Sequence, residues 1–169
     1  MSSQMAAYSA ISYHNGSIWP HDNAIIATGL LNYGFQKDAL RIIDSLLDAG
    51  QYFAYQRLPE LFCGFERGLS KVPIDYPAAS SPQAWASGAS MLMLTSLLGL
   101  SANANKKSLV LNPRFPADIY RIFVAGLRVG EGYVSFEVLL EHGEFTVNIT
   151  ENPGNFKIKL EGKPGLKAA

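Results

Sequence analysis

The chain has 169 residues, 48% of them apolar, and its 14 basic and 14 acidic side chains cancel. That length suits one ordinary domain or two small ones. The charge is spread as 5 basic and 7 acidic residues over positions 1–105 and 9 and 7 beyond, which excludes the clustered cations of a nucleic-acid binder, and the lone Cys63 excludes an internal disulfide framework.

Residues 1–12 are small and polar and read as an untied end, with no secretory signal. The next dozen, Ser12 to Asn23, hold two aromatics, two histidines, two asparagines and an acid. Gly16 marks a turn, and Pro20 suits the first position of a helix. Side chains from Tyr13 to Asn23 then gather where a loop enters that helix. They supply flat apolar faces and short hydrogen-bonding groups, as a polyhydroxylated ligand requires. The same residues also suit an elaborate helix entry, with Asn15 and Ser17 satisfying backbone groups.

The first helix is expected from Pro20 to Tyr33, stopped by Gly34. A second, from Gln36 to Ala54, repeats Leu40, Ile43 and Leu47 at helical spacing. An irregular, aromatic-rich segment follows from Tyr55 to Ser81, and such long loops are commonly functional. Ser81 and Pro82 then read as the N-cap and first residue of a third helix reaching Leu98. That helix is apolar all round, which predicts burial on every side. Its apolar run is too short and too interrupted to cross a bilayer, so a soluble cytoplasmic protein is expected.

Ser101 to Asn105 reads as a linker. Beyond it the apolar period becomes two, with Val134, Phe136 and Val138, then Phe145, Val147 and Ile149, then Phe156, Ile158 and Leu160 on alternate positions. Ser108 to Leu111 and Ile119 to Val129 complete about five strands, read as one antiparallel meander. Turns fall at Gly130-Glu-Gly132, His142-Gly143 and Asn152-Pro-Gly-Asn155. The resulting plan has helices over 1–105, an antiparallel β extension over 106–162 and a loose tail over 163–169. Three such helices cannot cover one another, so the helical part looks like the end of a larger array.

Three stretches carry candidate chemistry. Glu60 sits among Leu61 and Phe62 with Arg57 nearby. It suits a general base or a ligand for sugar hydroxyls, while the plainer reading of the spacing alone is a salt bridge to Arg57 or a helix cap. Tyr76, Gln83 and Trp85 suit a pocket wall, and Trp85 equally suits core packing. His14, His21 and Asp22 are divided by a glycine and a proline and share no helix face, so no metal is expected. No cofactor is expected either.

The strings Tyr-His-Asn-Gly-Ser-Ile-Trp-Pro-His-Asp-Asn from Tyr13, Arg-Leu-Pro-Glu-Leu-Phe-Cys-Gly from Arg57 and Tyr-Pro-x-x-x-Ser-Pro-Gln-Ala-Trp-Ala from Tyr76 resemble the C-terminal part of bacterial glycogen-debranching enzymes of the amylo-alpha-1,6-glucosidase type. They are more distantly similar to glucoamylases, trehalases and neutral invertases. The resemblance covers Ser12 to about Leu100. It implies a mainly α fold, the last helices of an (α/α)6 toroid followed by a small β meander. It also implies inverting hydrolysis of an alpha-glycosidic bond by two carboxylates roughly 6.5–9.5 Å apart. On that resemblance Glu60 is the general base, while His14, Asn15, Trp19, His21, Asp22, Tyr76, Gln83 and Trp85 line the sugar pocket. The ligand would be an alpha-glucan or oligosaccharide. The family's general acid lies on earlier helices with no counterpart here, which implies a truncated or split gene product, weak or inactive alone. The rival reading is a non-catalytic carbohydrate-binding or partner-completed subunit, with a second chain or self-association covering the helix over 82–98.

Overall fold

In the computed structural model, which describes residues 2–161, the run after Trp19 folds as helix α1, Pro20–Asn32, with proline at its first position. The tail at 163–169 lies outside the described residues. Helix α1 buries Pro20, His21, Ala24, Ala27 and Leu31 along one face and leaves Ile25 and Ile26 about half exposed. Gly34 adopts φ +86°, and Phe35 N donates to Leu30 O at 2.9 Å, closing the helix end. Helix α2, Gln36–Gly50, packs against it and buries Ala39, Ile43, Leu46, Ala49 and Gly50. It stops short of the expected Ala54. The chain instead leaves through a single 3-10 turn, Ala54–Gln56, in which Tyr55 and Gln56 both take positive φ.

Chain contacts divide the protein into two units, Met1–Met93 and Leu94–Ala169. In the first, the irregular segment is stitched by backbone pairing. Ile18 and Phe62 exchange hydrogen bonds of 2.8 and 3.1 Å, and Cys63 N donates to Ile74 O at 2.9 Å. The supposedly untied N-terminal stretch is held to the same ribbon. Gly64 N donates to Ala10 O at 2.8 Å, and Tyr8 Oη donates to Gly64 O at 2.6 Å. Small side chains at positions 9, 10 and 16 permit this backbone-on-backbone packing.

Helix α3, Ala84–Leu98, begins two residues after Pro82, so Ser81 is not its cap. Ala86, Ala89, Met93 and Leu97 are buried at helical spacing, whereas Trp85 and Met91 are 59% and 64% exposed. The expected burial on every side is therefore not found. Composition lacked a polar face, but packing covers only one stripe.

Six strands follow: β1 Ser101–Asn103, β2 Ser108–Leu111, β3 Arg121–Val129, β4 Gly132–Glu141, β5 Glu144–Glu151 and β6 Lys157–Leu160. The expected linker thus contains an edge strand. Strands β3, β4 and β5 form an antiparallel meander with two-residue turns, and His142 and Gly143 both adopt positive φ, as a tight hairpin demands. Val134, Phe136 and Val138 of its central strand are fully buried.

Strand β6 does not extend the meander. It pairs in parallel with β2, making a second sheet in the order β1-β2-β6. The cause is local. Phe156 N donates to Asn152 Oδ1 at 2.8 Å and Asn152 Nδ2 donates to Phe156 O at 2.9 Å. The Asn152 side chain thereby takes the groups that a hairpin ladder would have used.

Among the described residues, three α-helices and two three-stranded sheets, roughly 29% helix and 27% strand, make a small α/β fold. This overturns the mainly α, toroid-fragment expectation. Among the described residues beyond Leu98, the regular elements are strands whose backbone groups are spent in ladders rather than in further helices. Among the described residues no helix is long and apolar enough to cross a membrane.

Candidate functional site

The first unit brings six ring side chains into a continuous row beside the Glu60 carboxylate. The row starts at Tyr76, whose ring meets Tyr13 at 5.6 Å between centroids. Tyr13 stands edge-on to Trp19 at 4.7 Å and to His14 at 4.8 Å, and His14 lies parallel to Trp19 at 5.8 Å. Trp19 meets His21 at 5.5 Å, and His21 stacks on Trp85 at 4.3 Å with only 14° between the planes. The indole N–H of Trp19 donates to Tyr13 O at 3.0 Å, locking the turn between them.

Local structure explains the row. Gly16 lets the chain fold back on Ser9, where any Cβ would lie 2.0 Å from the Ser9 carbonyl oxygen. That reversal brings Tyr13 and His14 alongside Trp19. Helix α1 then presents His21 from its buried first turn, and α3 presents Trp85 from its own first turn.

Glu60 joins the row through Tyr13. The phenol Oη donates to Glu60 Oε1 at 2.5 Å, and Ser80 N donates to Glu60 Oε2 at 3.0 Å. The Glu60 N–H returns a bond to Ser80 O at 2.9 Å. Both carboxylate oxygens therefore accept hydrogen bonds. The Tyr13 hydroxyl first, the Ser80 amide next and the nearby His21 in addition hold the carboxyl below the usual glutamate range. Tyr13 is pushed up in turn, mainly because its hydroxyl proton is held by Glu60. The alternative salt bridge to Arg57 is not made, since the Arg57 guanidinium lies 5.6 Å above the ring of Tyr55.

The remaining sequence candidates sit at the margins. Asp22 is exposed on α1, its Oδ1 3.9 Å from His21 Nε2. Asn15 lies in the turn, its N–H donating to Ser12 Oγ at 3.3 Å. Gln83 Oε1 and His21 Nδ1 are buried with no protein hydrogen-bond partner among the described residues. No cluster of three potential metal ligands occurs among those residues. Tyr13 and Ser80 contact Glu60 directly and were not among the sequence candidates. Tyr13 was findable as the one hydroxyl-bearing ring of the densest motif. Ser80 acts first through its backbone amide, which leaves no mark in the sequence, and to a lesser degree through its hydroxyl.

The carboxyl shift has a checkable consequence. Because its value is lowered in the fold, Glu60 stabilises the protein fully above its ordinary value of about 4.3. That contribution disappears as pH falls through the lowered value. Tyr13→Phe should move the Glu60 carboxyl titration upward in a 13C NMR experiment and make the acid side of the stability profile shallower. An unmoved Glu60 titration would mean that the hydroxyl is not its main partner.

No protein-family model matches the chain, and no curated protein matches it in sequence.

Proposed function

We propose that this chain is a carbohydrate-active protein of the glycogen-debranching, inverting alpha-glucosidase kind, binding an alpha-glucan or oligosaccharide along the aromatic row. Three motif strings similar to those enzymes support the reading. The observation that carries it is Trp85. One face of its indole stacks on buried His21 while the residue as a whole stays 59% exposed, leaving apolar area for the face of a pyranose. Neighbouring His14, Tyr76 and Asp22 offer polar groups to the sugar's hydroxyls.

Glu60 is the general base in this reading. It is ionised at neutral pH, as the activation of water requires, although its lowered value makes it a weaker proton acceptor than an ordinary glutamate. The groups that set its ionisation are Tyr13, Ser80 and His21, none of which is a second carboxylate. In the enzymes the chain resembles, the general acid lies outside the matched strings, so in this reading the acid comes from elsewhere and the chain alone turns over weakly or not at all. A cytoplasmic setting accompanies the reading, supported by a buried, unpaired Cys63.

A second reading has its own observation. Both oxygens of Glu60 are already engaged, which weakens it as a base and suits a non-catalytic carbohydrate-binding subunit completed by a partner. Tryptophan fluorescence and calorimetric titration with maltoheptaose and with an alpha-1,6-linked oligosaccharide test binding itself. Dissociation constants near 1 mM, about 4 kcal/mol of binding, are expected. Trp85→Ala should weaken them at least about tenfold, by loss of the stacking face. Absence of binding, or equal binding by Trp85→Ala, would overturn both readings. Robust hydrolysis by the isolated chain would overturn the statement that it lacks its acid.

A further inference from the structure

Away from the aromatic row, the first unit holds a cavity of about 480 Å³ between α2 and the segment over 62–74. That volume falls in the range of small-molecule sites. Ile18, Asn23, Phe62 and Cys63 of the motif strings reach its lining, but none of the residues assigned to the carbohydrate reading does. Its apolar lining comes from Ile18, Ile42, Leu46 and Phe62, with the exposed Val72 and Ile74 on its solvent side. Its rim carries Arg41, Arg67 and Lys71 against Asp38, Asp48 and Glu66, so the charges around the mouth cancel. Arg67 Nη1 and Asp48 Oδ2, 2.5 Å apart, tie the segment to α2 across that mouth.

We propose that this cavity is a second ligand site, and that it takes an uncharged, mainly apolar small molecule. The apolar lining offers dispersion contact and no buried charge to pair with. A charged ligand would meet cation and anion together at the rim and gain little over water, whereas a neutral one loses no ionic hydration on entry. The proposal does not depend on the carbohydrate reading, since the two sites use different side chains.

Two probes that share a ring system and differ by one charge test it. N-phenyl-1-naphthylamine is neutral, and 1-anilinonaphthalene-8-sulfonate is its anionic relative. The neutral probe should bind the full chain saturably with a stoichiometry of one, and about tenfold more tightly than the sulfonate. Ile74→Glu puts a charge at the mouth from a side chain already 38% exposed. It should weaken the neutral probe about tenfold or more with unchanged far-UV circular dichroism. Val72→Glu, at a position 48% exposed, repeats the test if Ile74→Glu fails to fold. Ile26→Glu, on exposed apolar surface of α1 outside the cavity, should leave binding unchanged. Equal affinity for both probes, unaltered binding in the mouth variants, or an equal loss in Ile26→Glu would overturn the assignment.

Discussion

Gly64→Ala should destabilise the first unit by about 3 kcal/mol or more, well above the usual cost of a surface substitution. A Cβ at this position would stand 1.9 Å from the carbonyl oxygen of Gly16, and one at Gly16 would stand 2.0 Å from that of Ser9. These are backbone atoms, so no rotamer change relieves the overlap. The ribbon carrying Glu60 would have to part from the turn carrying Tyr13, and the bond between them would go with it. Both tryptophans of the chain, Trp19 and Trp85, lie in this unit, so urea unfolding followed by tryptophan fluorescence reports on it directly. A midpoint equal to that of the parent would refute the stacking of Ser9, Gly16 and Gly64. Oligosaccharide binding should fall in the same variant, because the row is assembled on that turn.

Phe136→Ala should cost the second unit about 3–5 kcal/mol, through lost transfer energy and the cavity left behind. Phe136 is wholly buried at the middle of β4, between Val124 of β3 and Ile149 of β5 in the ladder. Phe136→Leu retains most of the volume and should cost under about 1.5 kcal/mol. Amide hydrogen exchange in β4 separates the outcomes, because the alanine variant should lose protection there first. Similar protection in both variants would mean that Phe136 is not the centre of the sheet's packing.

The contrast between these residues marks what the sequence could convey. Pro20 and Gly34 bracket α1 because each acts through its own backbone chemistry, and α1 is found between them. Alternation made β4 and β5 readable for a similar reason, since neighbouring side chains point to opposite faces. Pairing partners were not readable. The turn at Asn152 looks like a hairpin turn, and only the two bonds from its side chain to Phe156 reveal that it redirects the chain. Helix α3 misled differently: its composition has almost no polar side, but composition cannot say which stripe will find neighbours. The candidate site was legible in its rings. Tyr13, Trp19, His21 and Trp85 come together although 72 positions separate the first from the last. The clasp on Glu60 was not, because half of it is the amide of Ser80.

The parallel pairing of β6 with β2 also bears on the order in which the second unit assembles. Joining them closes a loop running from Asn112 to Phe156, at an entropic cost on the order of 3 kcal/mol. The hairpins inside that loop shorten it, so the meander forms first and β6 docks last. As the chain emerges from a ribosome, β2 therefore waits with one edge open until β6 arrives, and interrupting synthesis before Lys157 leaves that edge free to pair with another copy.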